Sequence, residues 1–424
     1  MLPPGVIAME RERFDVCVIG AGPAGATAAC RLAEKGIDTL LVDRACFPRD
    51  KVCGDGVGPR AVRVLEKLGL YPSEGFPGRF RLEGVRIGSP NRSILEVSIL
   101  DDPEVGAGYV IPRKRLDGWL LEQAVRKGAV LRDSMEVLQL EKRKGGIRVS
   151  GSRGGSRVSL EARFAVGAWG AQAGRVARQY PSSGSGSRFS VVAVRAYFTG
   201  LQGIGPFMEI HFDPGLVPGY GWIFPTGPDS ANIGYGMRLD RLQKKGIPLR
   251  QLFETFLDTN PSVRRYLKRG RQASSLRGAT IPLRKVGLPA ARGRLLLAGD
   301  AAGFADPLSG EGIGTAMQSG WMAAGCVTRA LRRAIPDRWA SVAYASACRK
   351  EIVWNLGLAS LVQSILIRPP FGSTAGILDA VVEKARTNPR MARALARLII
   401  GDLSRSAFLE AGNWRKLWKA WRQE

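Results

Sequence analysis

The 424-residue chain holds one histidine, and that scarcity removes several kinds of chemistry at the outset. A His-rich zinc site needs more than His211, and no Cys-x-x-Cys pair replaces it, so no metal site is expected. Six cysteines in a chain this long do not make a disulfide framework. Cys17 and Cys30 fall in apolar periodic segments and Cys326 and Cys348 in helix-like ones, so all four are expected to fill core space. Acidic residues are scarce too: 37 Asp and Glu stand against 63 Lys and Arg, a net charge of +26. A surface that basic attracts polyanions, either nucleic acid or the anionic face of a membrane. No nucleic-acid-binding module is recognisable, so no nucleic acid partner is expected and the membrane surface is favoured.

Long apolar runs are also missing. The residues before Phe14 lack the continuous apolar core of a signal peptide. The longest apolar stretch, 352–367, contains Asn355, Gly357 and Gln363 and falls short of the ~20 apolar residues a spanning helix needs. The expectation is a reduced, cytoplasmic, non-spanning protein at the periphery of a membrane. Length allows two or three domains.

What is present begins with FDVCVIGAGPAGATAACRLAEKGIDTLLVDR, which reads as strand, glycine turn, helix, strand. Gly20, Gly22 and Gly25 supply GxGxxG at the end of a short buried strand. Gly20 permits the tight turn, Gly22 lets the backbone approach a pyrophosphate, and Gly25 lets the helix pack closely. The next strand, Thr39 to Val42, ends at Asp43, placed to accept ribose hydroxyls. This predicts an ADP-containing cofactor.

A second element far downstream favours FAD over NAD. In RLLLAGDAAGFADPLSGEGIG, Leu295 to Ala298 form a buried strand and Asp300 is placed to bond a ribityl hydroxyl. The glycine-rich turn through Gly312 and Ile313 leads into a helix starting near Thr315. Its positive N-terminus would face the flavin's pyrimidine edge.

At these residues the chain resembles FAD enzymes of the glutathione-reductase type, in the p-hydroxybenzoate hydroxylase-like branch. PRKRLDGWLLEQA matches the branch's Arg-x-x-hydrophobic-Asp-x-x-Leu helix, and the resemblance implies that Arg113 contacts the cofactor. The competing reading is a helix-capping arginine with Asp117 as a solvated neighbour. Cofactor contacts at Ala24, Arg44 and Val137 are likewise implied by the resemblance.

FPRDKVCGDGVGPRAV carries a Cys53-Gly54-Asp55-Gly56 turn, whose glycines let backbone pass close to a flat ring while Cys53 offers a thiol. Together with Tyr220, Trp222, Phe224 and Pro225 in GYGWIFP, and the Gly234-x-Gly236 pair, it resembles the geranylgeranyl reductase family, which includes menaquinone side-chain reductases. That resemblance implies reduction of prenyl double bonds by reduced FAD. Tyr220, Trp222, Phe224, Gly234 and Gly236 would line the substrate path, and Cys53 is a candidate proton donor. Side chains at Gly234 or Gly236 would block the path to the flavin. The branch's usual Asp-Gly and following serine are replaced here by Trp169–Gly170 and Ala173. That departure disfavours direct reduction by NADPH and favours a ferredoxin-type protein or a quinol as donor. A flavin monooxygenase or halogenase acting on an apolar substrate is the alternative. Halogenases of this branch carry WxWxIP, which GYGWIFP does not match.

The expected fold is α/β. A Rossmann-type FAD-binding domain (14–78, 109–180 and 275–345) interleaves with an antiparallel-sheet substrate domain (79–108 and 188–274). A helical stretch near 249–267 interrupts that sheet, and His211 lies in one of its strands. A helical, basic C-terminal region covers 346–424. In its tail, 413–424, Trp414, Trp418 and Trp421 share one helix face with basic residues opposite, which suits an anionic membrane surface. The competing reading docks that helix on the protein itself. Expected partners are an isoprenoid lipid or quinone substrate, the membrane surface and an electron-donor protein.

Overall fold

A computed structural model describes residues 12–78, 80–100, 106–171, 174–180, 186–285, 287–333, 335–369 and 372–402. The tail 413–424, with Trp414, Trp418 and Trp421, lies outside the described residues, as does Ala173.

The apolar run after Arg13 forms the strand Glu12–Ile19, buried on both faces, as a central parallel strand requires. It pairs in parallel with Ser156–Gly167 on one side and Thr39–Val42 on the other. Leu295–Leu297 and Val130–Arg132 extend this parallel core outward. The hairpin of Met135–Arg143 and Gly146–Arg153 runs antiparallel into Ser156–Gly167, and with the short edge strand Ala291–Arg292 beside Leu295–Leu297 it completes an eight-stranded sheet. Helices Pro23–Glu34, Arg113–Arg126 and Ile313–Arg333 share its core with the hairpin's Val137 and Val149. The first and third of these helices meet at a glycine: a Cβ on Gly320 would lie 2.1 Å from the Ala24 carbonyl oxygen.

The second eight-stranded sheet runs Arg271–Gln272, Ser190–Thr199, Ser230–Arg238, Tyr220–Gly227, Phe207–His211, Gly84–Gly88, Ile94–Ser98, with Arg277–Pro282 also pairing Ser190–Thr199. One pairing departs from the antiparallel expectation. Phe207–His211 and Gly84–Gly88 run parallel, because the latter arrives from the other domain rather than by a hairpin. The helical stretch expected near 249–267 is two helices, Leu249–Thr259 and Pro261–Tyr266. Asn260 stops the first in an extended conformation and caps the second by accepting the Val263 N–H.

Toward the C-terminus, Thr374–Thr387 and Pro389–Ile399 pack Val382, Ala385 and Ala396 onto Val85, Ile87 and Leu95 of the second sheet. Before them, Asp337–Ile367 forms one continuous helix of 31 residues, long and apolar enough by length and composition to cross a membrane. The apolar stretch 352–367 is only the second half of this helix, because Asp337–Cys348 continues into it through a π turn at Arg349–Val353.

Candidate active site

Gly20 ends the first strand at φ +104°, in the left-handed region, where a Cβ would lie 2.3 Å from the Ala168 carbonyl oxygen. A Cβ on Gly25 would lie 1.7 Å from the Gly20 carbonyl oxygen, so the helix sits this close to the strand only without a side chain there. Gly22 is open by contrast, its nearest neighbour being an Arg49 guanidinium nitrogen at 3.5 Å from such a Cβ. The helix N-terminus behind it has no side-chain cap. Its unpaired N–H groups make a cradle of the kind that holds a pyrophosphate. Asp43, at the end of the second strand, accepts the Ala21 N–H at 2.7 Å and the Ala45 N–H at 2.8 Å, which fixes its carboxylate beside the glycine turn. Arg44 follows it on the surface, and Val137 is buried in the neighbouring hairpin opposite Gly151.

Asp300 sits on a 3-10 turn, Gly299–Ala302, and pairs with Lys51 Nζ at 2.9 Å across 249 residues of sequence. Burial opposes the charge of Asp300, but Lys51 outweighs it and holds the carboxyl below its usual range. A Cβ on Gly312 would stand 3.6 Å from an Asp300 carboxylate oxygen. The helix that follows, Ile313–Arg333, differs from expectation. Its Gly314 N–H donates to the Glu311 carboxylate, so this helix end carries its own acidic cap and its positive pole is partly neutralised.

Arg113 is buried, and its guanidinium grips Asp117 through two bonds of 2.7 Å. Asp117 is fully buried rather than solvated, and it also pairs with Arg49 at 2.8 Å. The Cys53 thiol lies against the same guanidinium. Burial lifts the thiol's pKa despite Arg113, so Cys53 is protonated at neutral pH.

The segment 47–56 laces the two sheets together. Arg49 and Lys51 reach the cofactor side, to Asp117 and Asp300. Asp50 reaches the second sheet, binding Arg195 at 2.7 Å. Asp55 Oδ2 accepts from the Tyr197 hydroxyl at 2.6 Å and from Asn232 Nδ2 at 2.8 Å. Asn232 Nδ2 also donates to the Cys53 carbonyl at 2.7 Å, and its Oδ1 accepts the Trp222 indole N–H at 3.0 Å. In the Cys-Gly-Asp-Gly turn the left-handed residue is Asp55, at φ +68°, and not either glycine. The glycines serve close approach instead. A Cβ on Gly54 would lie 2.8 Å from the Phe224 ring, and one on Gly56 would lie 2.9 Å from the Met208 methyl.

Three strands align their residues in rows on this face: Tyr197, Asn232 and Phe224; Arg195, Gly234 and Trp222; Ala193, Gly236 and Tyr220. The row structure corrects the expected role of Gly234. A Cβ there would come within 2.1 Å of the Trp222 indole, so the space above Gly234 belongs to that ring and not to a passing ligand. Gly236 is less crowded, its nearest neighbours being the Ala193 side chain and the Val192 carbonyl oxygen, each 3.3 Å from such a Cβ. Tyr220 donates to the Ser309 carbonyl at 2.8 Å, and its oxygen lies 2.9 Å from a Cβ placed on Gly310. The aromatic strand is therefore bracketed by the Cys53–Gly56 turn at one end and the Ser309–Gly310 turn at the other.

His211 is buried elsewhere on the sheet, bonded through Nε2 to Glu209 at 2.9 Å. Glu209 also accepts from Tyr266 and pairs with Arg86, a structural cluster apart from Cys53. Asn232, Tyr197, Arg195 and Lys51 were not singled out from sequence. The available signal was polarity in apolar strands: Arg195 and Tyr197 share one face of VVAVRAYF, and Asn232 interrupts an otherwise apolar or glycine strand.

These residues fit FAD: an open helix N-terminus for the pyrophosphate, a fixed acid at Asp43 and a second acid at Asp300. A model of the FAD binding domain matches residues 13–202. The menaquinone reductase of Mycobacterium tuberculosis (strain H37Rv) is 32% identical over 323 residues, covering 74% of this chain and 76% of that one. Digeranylgeranylglycerophospholipid reductase 1 of Methanopyrus kandleri is 31% identical over 354 residues, covering 77% and 86%. Among solved structures, a geranylgeranyl bacteriochlorophyll reductase-like protein from Thermoplasma acidophilum superposes with a TM-score of 0.80 at 22% identity, covering 95% of this chain and 96% of that one. A flavin-dependent brominase shares the fold at a TM-score of 0.71 and 18% identity, covering 97% and 100%. With its FAD-binding fold, its Cys-Gly-Asp-Gly turn against the aromatic strand, and these relatives, the chain belongs to the geranylgeranyl reductase family of FAD-dependent oxidoreductases.

Proposed function

We propose that this enzyme saturates C=C bonds in the prenyl chain of a membrane lipid or of a menaquinone-type quinone, working at the membrane surface. The observation that carries the reading is the aromatic strand between two cofactor-side turns. Tyr220, Trp222 and Phe224 stand at successive ring separations of 6.4 and 6.2 Å, and their polar atoms are engaged by Ser309 and Asn232. Such a wall meets an apolar chain without offering it groups that need hydrogen bonds.

Bound reduced FAD supplies the hydride. An isolated alkene has no carbonyl to polarise, so the protein must hold the chain close, exclude water and deliver a proton to the second carbon. Cys53 suits that delivery. Its thiol is kept protonated by burial, and the Arg113 guanidinium beside it stabilises the thiolate left behind until solvent returns the proton. The alkene gains a hydride and a proton, and the sulfur ends unchanged.

Trp169 and Gly170 support a donor other than NADPH. Trp169 packs against Tyr180 with ring centroids 6.5 Å apart, where the branch's usual acid would stand. The test is mass spectrometry of prenyl quinones and isoprenoid lipids after incubation with the dithionite-reduced holoenzyme. A gain of two mass units per reduced bond supports the reading, and unchanged chains with intact flavin reduction sink it.

A further inference from the structure

The long helix 337–367 has two unlike faces. Ala340, Tyr344, Cys348, Ile352, Leu356 and Ala359 are buried against the protein, and Tyr344 donates to the Leu297 carbonyl at 2.7 Å. Opposite them, Val342 is 66% exposed, Trp354 61%, Leu361 57% and Ile365 44%, with Trp339 also exposed. The π turn at Arg349–Val353 widens one turn by a residue and so limits the drift between the two faces along the helix. Arg338, Arg349 and Lys350 are exposed along the same helix and Arg368 at its C-cap, against Glu351 and the Asp337 carboxylate, which pairs with Arg294. Exposed tryptophans, aliphatic side chains and flanking cations are the composition of a helix lying at a lipid headgroup boundary. With one side packed into the protein, this helix is not a free span.

A second feature adjoins its N-terminal end. Arg31, Lys35, Arg329, Arg332 and Arg333 line a cavity of about 620 Å³ between the C-terminal ends of helices Pro23–Glu34 and Ile313–Arg333. Five cations converge there, and the Arg329 guanidinium lies over the Trp339 ring at 5.4 Å. Helix C-termini attract cations, which accounts for some of this charge but not for a shared cavity of this size. The opposite end of the long helix reaches the active site. Gln363 donates to the Pro307 carbonyl, in the turn whose Ser309 carbonyl holds Tyr220.

We propose that the outer face of helix 337–367, together with the five-cation cavity at its start, is the surface by which the protein lies on an anionic bilayer. The helix runs in the headgroup plane, the cavity takes lipid phosphates, and Trp339 and Trp354 sit at the interface. The end near Gln363 places the aromatic strand beside the lipid, so that a prenyl chain leaves the bilayer directly into the site; this last step rests on the reductase reading above.

The test floats full-length, FAD-loaded protein with phosphatidylglycerol-containing vesicles and with pure phosphatidylcholine vesicles. Two variants are compared: Leu361→Ser with Ile365→Ser, and Lys35→Gln with Arg333→Gln. The expected result is preference of the wild type for the anionic vesicles, about tenfold weaker partitioning for each variant, and unchanged flavin content. The charge variant should also lose part of the salt dependence. Partitioning kept by both variants, or equal on neutral vesicles, overturns the proposal. So does loss of binding only when 403–424 is removed, or a concentration-dependent dimer that the Leu361/Ile365 variant abolishes. Failure of the reductase reading is separable: wild type would then bind anionic vesicles but leave detergent-solubilised prenyl lipids unreduced.

Discussion

Asn232 holds Asp55 at 2.8 Å, and through that bond a strand of the second sheet fixes the turn that carries Cys53. The same amide nitrogen takes the Cys53 carbonyl, and its oxygen takes the Trp222 indole, so one side chain positions both the thiol and the central ring of the aromatic strand. Replacing it with Ala leaves buried polar partners unpaired, at ~1–3 kcal/mol each. Asn232→Ala should melt several degrees lower and lose turnover while its FAD remains bound. Flavin loss matching the activity loss would instead place Asn232 in cofactor binding.

Asp55 makes the site's stability depend on pH. Burial lifts its carboxyl from 3.8 to about 6, against bonds from Tyr197 and Asn232 and the nearby charges of Arg195 and Arg113. A folded pKa above the unfolded one stabilises most fully below the unfolded value, and that contribution is lost as pH rises through the folded value. The whole effect is ~3 kcal/mol. Asp55→Asn accepts the left-handed backbone and cannot ionise. The wild type should therefore lose stability relative to Asp55→Asn between pH 4 and pH 7, measured by denaturant melts of the FAD-loaded proteins. A difference independent of pH would show that Asp55 keeps one charge state throughout.

The Gly234 and Trp222 contact predicts a one-sided glycine requirement. Gly234→Ala drives a methyl into the indole and should cost stability and turnover, whereas Gly236→Ala meets Ala193 and the Val192 carbonyl at 3.3 Å, a tight contact that a small shift relieves, and should cost folding less. If Gly236→Ala nevertheless slows reduction of long chains but not short ones, the open row beside Tyr220 is the path they follow.

Asp300→Ala should purify colourless, since it removes the partly buried acid that the FAD fit calls for and strands Lys51 near it. The ratio of flavin absorbance to protein absorbance reads this directly. Cys53→Ala should keep its colour and lose at least tenfold in turnover with dithionite-reduced enzyme. Full activity in that variant would assign the proton to another donor.

Much of the cofactor half is legible in the chain, because a glycine fingerprint states a backbone requirement that only one residue type meets. Gly20 and Gly25 are of this kind, and Asp43 follows at a spacing fixed by strand and helix lengths. The substrate half is less legible. Its key contacts join residues 142 to 179 positions apart, and no local pattern announces that Tyr197, Asn232 and Asp55 meet. Gly234 is a nearer case: Trp222 is its partner on the adjacent strand of the same hairpin, and only the pairing register sets the indole over the glycine. The capping of Ile313–Arg333 by Glu311 was readable as an acid three residues before Gly314, but the flavin motif around it drew a different expectation. The apolar stretch 352–367 gives only the second half of the long helix, because the alanine-rich turns of Asp337–Cys348 before it are only modestly apolar.

The alternating reach of 47–56 carries a consequence for how the enzyme matures. Arg49 and Lys51 answer to the cofactor side and Asp50 and Asp55 to the substrate wall, within seven residues of backbone. A ligand that orders one side therefore orders the other, and the favour is mutual by linkage. Newly made protein should accept its prenyl chain poorly until flavin is installed, and a chain in place should slow the flavin's escape. Such coupling would make the segment an inspection step, favouring substrate on enzyme already equipped to reduce it.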